Sequence, residues 1–219
     1  MTPGLHIAIE RHRLRLRSAL RTEGIAPLRI DHRCELLDSS NQGETSQCAA
    51  YAMAGVIEYE RWKWAGVQAQ VDPSPIYRKA KELDEIDGEG TTLEAVLQAA
   101  SLLALIPEIA PGSIRVIESA ADVRQALHRY DVVLAGFEID EGWFHVTADG
   151  WIRKGRTPQG GHAVLLCGYA DDAERWLGLQ NSWGSEGYGW RGFCRIAPEL
   201  FVEQFRYGLV WDYASPRYR

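Results

Sequence analysis

The sequence is short of positive charge and contains no long apolar run. Its 219 residues include 24 lysines and arginines against 30 aspartates and glutamates, which gives a formal net charge of −6. No global positive potential is therefore expected to attract nucleic acid or an anionic lipid surface. The longest apolar runs, such as 99–110, are shorter than the roughly 18 to 20 residues that a membrane-spanning helix needs. We expect neither a nucleic-acid partner nor a membrane partner.

The N-terminus lacks the continuous apolar core, about 7 to 15 residues long, that signal peptides contain. Leucine and isoleucine alternate there with Arg11, Arg13, Arg15, Arg17 and Arg21. Cysteine is also scarce, and the four that occur are too widely spaced to suggest a disulfide framework. These four are Cys34, Cys48, Cys167 and Cys194. The two absences predict a cytoplasmic protein with reduced thiols, with delivery to another cell or compartment left open.

Metal ligands and nucleotide-binding loops are equally lacking. His32 and Cys34 flank Arg33, but no further well-spaced histidine or cysteine completes a zinc site. The glycine-containing stretch 184–189 does not fit the dinucleotide spacing and lacks the lysine and hydroxyl pair of a phosphate loop, so it is interpreted as a surface turn. The sequence predicts no metal and no cofactor. Cys167 and Cys194 lie in apolar runs and are expected to pack as small buried hydrophobes.

The secondary-structure pattern changes near the middle of the chain. Helices are predicted at 47–65, 75–83 and 92–105. The segment 4–21 could form a helix, but its apolar and charged residues alternate as much like those of a strand. After Pro107 and Pro111 the pattern favours strands, with one further helix at 121–129. The predicted strands are 114–117, 132–139, 143–147, 163–169, 175–181 and 192–196, followed by an aromatic tail, 201–218, of strand and extended chain. This order predicts an α+β fold with two lobes and a cleft between them.

The same pattern suggests how the chain is divided. Residues 1–30 are interpreted as a basic N-terminal extension that could be a cap, a docking arm or a solvated segment. Residues 31–219 form the main domain, with a helical lobe at about 41–110 and a β-rich lobe at about 111–219. Nothing in the sequence indicates the oligomeric state.

Cys48 stands where a cysteine would be activated as a nucleophile. The predicted helix 47–65 follows Thr45 and Ser46, which are good N-cap residues. A thiol in the first turn of a helix meets free backbone N–H groups and the positive end of the helix dipole, which favour the thiolate. A lone cysteine in an alanine-rich helix start is often structural, however, so the assignment depends on partners elsewhere.

Two polar residues in the second half could complete such a site. His162 follows two glycines and leads into the predicted strand 163–169, so its ring could project from the start of the strand toward a cleft as a general base. Asn181 ends the next predicted strand, and its side-chain carbonyl could accept the second imidazole N–H. Trp183 could then shield that hydrogen bond from water.

Gln42 precedes Cys48 by six residues (48 − 42 = 6). Its side-chain amide could therefore point at the carbon that the thiolate attacks. With the backbone N–H of Cys48 it would form an oxyanion hole. Taken alone, Gln42 would be an ordinary loop glutamine.

Together these blocks resemble the papain family of cysteine peptidases. The blocks are Asn41-Gln42-Gly43 with Cys48, Gly161-His162-Ala163-Val164 with Gly168-Tyr169, and Asn181-Ser182-Trp183-Gly184. The separations from Cys48 are 162 − 48 = 114 and 181 − 48 = 133 residues, the first being shorter than the roughly 130 to 150 typical of papain. The resemblance implies a papain-like fold, Cys48 as nucleophile, His162 as base, Asn181 as its orienting residue and Gln42 as oxyanion donor. It further implies substrate contacts at Glu89, Gly90, Gly161 and Trp183.

The chain also departs from the papain pattern. Thr45 stands where papain has a cysteine, which removes a disulfide. Ser46-Gln47 replaces the usual Gly-Ser and adds bulk beside the nucleophile. The loop 185–190 after Gly184 lacks the usual second tryptophan arrangement, so the shape of the leaving-group side of the cleft is not predicted.

The sequence thus predicts thiol-dependent hydrolysis of peptide bonds through an acyl-enzyme on Cys48, with a peptide or protein as substrate. One alternative is an acyltransferase or deamidase that uses the same residues. Another is a papain-fold binding protein without turnover. Because a thiolate–imidazolium pair needs Cys48 deprotonated and His162 protonated, the expected pH profile is bell-shaped, with the pKa of the imidazole raised by the thiolate.

Overall fold

The structure, a computed structural model, describes residues 26–215. The segment 4–21, most of the basic extension and the last residues of the aromatic tail lie outside the described residues. Five helices are described: α1 (Cys48–Ala65), α2 (Ser74–Leu83), α3 (Leu93–Leu102), α4 (Ala120–Tyr130) and α5 (Pro198–Gln204). The strands are β1 (Arg29–Asp31), β2 (Arg115–Ile117), β3 (Val133–Asp140), β4 (Trp151–Ile152), β5 (Pro158–Ala170), β6 (Trp176–Gln180), β7 (Phe193–Ile196) and β8 (Phe205–Val210).

Local sequence signals explain where the helices begin and end. The Thr92 hydroxyl caps α3 by accepting the Ala95 N–H at 3.0 Å, and Ser119 caps α4 in the same way. Gly66 ends α1 in the left-handed conformation, with φ at 66°, and its N–H bonds back to the carbonyls of Arg61 and Trp62. The three helices predicted between residues 47 and 105 are present, and their ends agree with the prediction to within three residues.

The strands form one sheet in the order β2-β8-β3-β5-β6-β7-β4, with β1 added on β5. Every pairing is antiparallel except that of β4 with β7, which is parallel. The mixed fold agrees with the predicted α+β class. The limits of the two predicted lobes stay a prediction.

Two apolar clusters cover the two faces of this sheet. Because side chains alternate along a strand, β5 sends Ala163, Leu165 and Cys167 to the cluster that contains α1 and α3. It sends Val164 and Leu166 to the other cluster, which contains α4 and α5. β5 is thus the buried strand around which both layers pack.

Helix α1 approaches the sheet closely at Gly55. A Cβ at that position would lie 2.9 Å from Gln180 Oε1 and 3.2 Å from Leu165 Cδ2. Glycine therefore lets the helix pack directly on β5 and β6, which fixes where the first turn of α1 lies relative to the sheet.

Three element predictions were wrong. The predicted strand 143–147 is part of a 3₁₀ helix, Glu141–His145, which Asp140 caps by accepting the Gly142 N–H at 2.9 Å. The tail contains helix α5 before its strand, with Pro198 at the first position, where a missing N–H costs nothing. Strand β5 begins at Pro158, several residues earlier than predicted.

Candidate active site

Cys48 is the first residue of α1 and is fully buried. The N-cap is Gln47, and no side chain caps this end of the helix among the described residues. Thr45 and Ser46, predicted as caps, bond elsewhere: the Thr45 hydroxyl donates to the Gln42 carbonyl at 2.7 Å, and the Ser46 hydroxyl to Glu89. The positive end of the α1 dipole would favour a negative charge on a side chain at this position.

His162 lies within β5, opposite Phe137 of β3, and not at the start of the strand as predicted. Its Nε2–H donates to Asn181 Oδ1 at 2.7 Å. The other ring nitrogen, Nδ1, is buried and has no hydrogen-bond partner among the described residues. His162 therefore presents one nitrogen that is anchored and one that is able to accept a proton.

The first half of α1 lies beside the strand segments that carry His162 and Asn181. Tyr51, Ala52 and Gly55 line a small cavity together with Ala163 and Asn181. Cys48 is one helical turn before Ala52 on the same face of α1, since residues four apart are neighbours on a helix surface. The first half of α1 therefore packs near Asn181 and near Ala163, the residue after His162.

Trp183 covers this pair, as the sequence predicted. Its ring centroid lies 4.8 Å from that of His162, and Phe144 in turn stacks on Trp183 at 4.9 Å. Trp143 approaches the imidazole edge-on, with centroids 6.0 Å apart. These aromatic rings exclude water from the histidine.

Exclusion of water has an electrostatic consequence for His162. Burial lowers the pKa of His162 to about 4, although the hydrogen bond to Asn181 acts in the opposite direction. The described surroundings therefore favour a neutral imidazole at neutral pH. This differs from the expected rise, since the cost of burying a charged ring is larger than the gain from one neutral amide.

Gln42 lies close to the His162–Asn181 pair because it is hydrogen-bonded to Ser182, the residue after Asn181. The Ser182 hydroxyl donates to Gln42 Oε1 at 2.5 Å, and the Gln42 backbone N–H donates to the Ser182 carbonyl at 2.8 Å. Gln42 Nε2 donates one hydrogen to the Thr45 carbonyl at 2.6 Å. A primary amide has two N–H groups, so one more is left for an acceptor. The loop that precedes α1 is thereby tied to the Asn181 segment.

The predicted substrate-contacting residues are distributed around the same region. Glu89 is exposed, and its carboxylate lies 3.3 Å from the Ser46 hydroxyl, two residues before Cys48. The Gly90 carbonyl accepts a hydrogen bond from Lys81 Nζ at 3.0 Å. Gly161 precedes His162 in β5 and pairs with Glu138.

Tyr188 is the residue that the sequence interpretation missed. It was placed in a surface turn, but it is 6% exposed, and its hydroxyl accepts a hydrogen bond from Asn181 Nδ2 at 2.8 Å. A tyrosine among glycines so soon after the Asn-Ser-Trp block was the available signal. Its large apolar ring can fold back under the block because the flanking Gly187 and Gly189 adopt positive φ angles.

Of the other cysteines, Cys194 borders this site, since its thiol lies within hydrogen-bond reach of the Tyr188 hydroxyl. Cys167 and Cys194 are buried, as predicted, and burial raises the pKa of both thiols, to about 12 for Cys194. Cys34 is exposed, and the neighbouring His32 bonds Glu35 at 2.7 Å. Within residues 26–215 no group of three metal-ligating side chains could hold a metal ion. No helix of that range is long and apolar enough to cross a membrane.

Comparison with known proteins gives a result for the fold alone. No family model matches the chain, and no curated protein matches it in sequence. Several solved structures do match. Xylellain, a cysteine protease from Xylella fastidiosa, has a TM-score of 0.78 at 17% identity, over 97% of this chain and 96% of its own. Procathepsin B S9 from Trypanosoma congolense has a TM-score of 0.74 at 14% identity, over 98% and 87%.

A third solved structure gives the same result. Digestive procathepsin L 3 of the Tenebrio molitor larval midgut has a TM-score of 0.71 at 12% identity, over 96% of this chain and 75% of its own. The chain therefore has a papain-like fold, as the resemblance implied.

Proposed function

We propose that this papain-fold chain is a cysteine peptidase that hydrolyses peptide bonds through an acyl-enzyme on Cys48. The observation that carries the proposal is the buried hydrogen bond from His162 Nε2 to Asn181 Oδ1, which leaves Nδ1 without a hydrogen-bond partner among the described residues and able to accept a proton. The cysteine proteases among the solved structures of similar fold support this class of activity.

The first step is removal of the thiol proton of Cys48. His162 Nδ1 accepts that proton, and the lowered pKa of the histidine means that the imidazole is free to do so at neutral pH. The positive end of the α1 dipole stabilises the thiolate, which attacks the carbonyl carbon of the substrate.

The second step is stabilisation of the oxyanion. The Cys48 backbone N–H and the remaining N–H of Gln42 Nε2 are its proposed donors. The tetrahedral intermediate collapses when the imidazolium gives its proton to the leaving amine. Water, activated by His162, then attacks the thioester and releases the acid, which restores Cys48.

Labelling with an epoxide selective for papain-like thiolates tests the nucleophile. Cys34 is an internal control, because its thiol is exposed whereas that of Cys48 is buried. We expect stoichiometric addition at Cys48, found by peptide mass spectrometry, and none at Cys34. Labelling of Cys34 alone, at the rate of a small exposed thiol, would show that Cys48 is not activated.

Analysis of the products tests whether water or an amine accepts the acyl group. Mass spectrometry of a peptide library after incubation should show water-terminated fragments that disappear in Cys48→Ala. Amine-terminated products or single-unit deamidations would instead support the acyltransferase or deamidase alternative.

A further inference from the structure

Asn181 is held at both ends of its side-chain amide. Its Oδ1 accepts from His162, and its Nδ2 donates to Tyr188 Oη at 2.8 Å. The Tyr188 hydroxyl in turn donates to the main-chain carbonyl of Trp143 at 2.8 Å. Asn181 is 3% exposed and Tyr188 is 6% exposed, so these bonds are not readily exchanged for bonds with water.

The Tyr188 hydroxyl meets the Trp143 carbonyl and the Cys194 thiol, and the carbonyl is the stronger acceptor of the two. A backbone carbonyl only accepts, so the single proton of the Tyr188 hydroxyl is committed to Trp143. Towards Asn181 the hydroxyl can then only accept. Burial raises the pKa of Tyr188 well above its ordinary value, so the hydroxyl keeps that proton. Asn181 must therefore turn its NH₂ group to Tyr188 and its oxygen to His162.

The carbonyl that receives the proton is itself fixed. Trp143 Nε1–H donates to Gln204 Oε1 at 2.7 Å, and Gln204 Nε2 donates to Asp140 Oδ2 at 2.8 Å. All of these side chains are buried. The 3₁₀ helix that carries Trp143 is thereby anchored to α5 and to the end of β3.

The orientation of the Asn181 amide decides the tautomer of His162. With Oδ1 facing the ring, Nε2 must carry the hydrogen, and Nδ1 keeps a lone pair. In the reversed orientation the NH₂ group would face Nε2, which would have to accept, and the hydrogen would move to Nδ1. The two ends of the amide are nearly equal in size, so hydrogen-bond partners decide between the orientations.

We propose that Tyr188 is a positioning residue that selects the base-competent tautomer of His162 by fixing the Asn181 amide. The Ser182 backbone N–H also donates to Asn181 Oδ1, at 2.8 Å, and favours the same orientation of the Asn181 amide. Tyr188 is the side chain of this arrangement that substitution can test. Only the catalytic consequence rests on the proposed peptidase function.

Nitrogen-15 NMR of histidine-labelled protein at pH 7 tests the tautomer without any turnover. Cys48→Ala in the wild-type background should show His162 protonated at Nε2 alone. Adding Tyr188→Phe, which removes only the hydroxyl, should produce a second population protonated at Nδ1. Tyr130→Phe, which removes the hydroxyl that accepts from Arg115 at 3.1 Å, is the matched control and should leave the spectrum unchanged. Pure Nε2 protonation in folded Tyr188→Phe would overturn the proposal.

A double-mutant cycle separates positioning from a general structural role. We expect Tyr188→Phe to lower kcat on the order of 10-fold with KM unchanged, since a partner of a buried amide is lost. In an Asn181→Ala background the same change should have no further effect, because the amide that it positions is gone. An equal loss in both backgrounds would contradict the proposal. A wild type without turnover would refute the peptidase function but leave the NMR result intact.

Discussion

The indole of Trp183 lies against the imidazole of His162, with centroids 4.8 Å apart and ring planes inclined by 32°. Trp183 is 5% exposed and His162 is fully buried. This contact links the Asn-Ser-Trp segment to the proposed base in two ways, because it excludes water from the His162–Asn181 bond and it removes solvation from the charged form of the ring. The acid-base behaviour of the site follows from it.

Activity should be lost as the pH falls through about 4. The pKa of His162 is lowered to about 4 by burial, so below that pH the ring is protonated and can no longer accept the proton of the Cys48 thiol. The kcat/KM profile of the wild type checks this. An acid limb near pH 6.5, the ordinary value for histidine, would show that the ring is solvated during catalysis.

Removal of the Trp183 ring should move the acid limb of the kcat/KM profile to higher pH. In Trp183→Ala water reaches His162, the charged ring becomes less costly, and the pKa rises toward its ordinary value. We expect the acid limb to shift to higher pH and kcat to fall. Trp151→Ala, at a tryptophan that contacts Arg195 elsewhere on the sheet, serves as the control. An unchanged limb in folded Trp183→Ala would mean that another group sets the pKa.

Gln42→Ala should lower kcat by roughly 100-fold, because it removes an oxyanion donor, and it should leave the acid limb in place. Ser182→Ala is the informative comparison, since it removes the hydroxyl that holds Gln42 Oε1 but leaves Nε2 present. A smaller loss is expected there. Equal losses in the two variants would indicate that Gln42 acts only by tying the loop before α1 to the Asn181 segment.

Stability should depend on pH through His162 and Glu60 with opposite signs. The folded-state pKa of His162 is about 4, below its ordinary value of 6.5. Between these two pH values the unfolded chain binds more protons than the folded chain, so the free energy of unfolding decreases as the pH falls. The contribution is about 3 kcal/mol. Burial raises the pKa of Glu60 to about 7, so its contribution is present at low pH and is lost as the pH rises through 7.

Urea unfolding of two variants separates these contributions. The free energy of unfolding of His162→Gln should fall as the pH rises from 4.5 to 7, because the titration of Glu60 is then no longer opposed by that of His162. The free energy of unfolding of Glu60→Gln should fall as the pH decreases from 6.5 to 4, because the titration of His162 is then no longer opposed by that of Glu60. The free energies of unfolding of the two variants are compared at each pH, because the other carboxylates titrate equally in both and their effect cancels. Parallel curves for the two variants would contradict the assigned burial of both groups.

Much of the fold could be predicted because the patterns were local. The helix at Cys48 and the strand after His162 each follow from a continuous run of suitable residues. The segment around Trp143 was mistaken for a strand because its apolar residues suit either structure, and the cap by Asp140 that makes it a 3₁₀ helix depends on tertiary packing. Helix α5 is only 7 residues long and is stabilised by burial of Phe201.

The site was predictable in its polar members and not in its surroundings. His162, Asn181 and Trp183 are close in the structure, as their blocks suggested, because short motifs carry them on β5 and on the segment that directly follows the adjacent strand β6. The buried environment of His162 includes Trp143 and Phe144, which are distant from it in sequence, so the direction of its pKa shift could not be predicted. Tyr188 was missed because glycines on both sides resemble an exposed turn.

Cleavage-site profiling on a denatured proteome tests the central claim, that Cys48 is the nucleophile of a peptidase. Wild type, Cys48→Ala and Cys34→Ala are compared under reducing conditions at neutral pH, and new N-termini are identified by mass spectrometry. The account predicts a common set of cleavage sites for wild type and Cys34→Ala and none for Cys48→Ala. Cleavage that survives in Cys48→Ala, or no cleavage by the folded wild type, would contradict it.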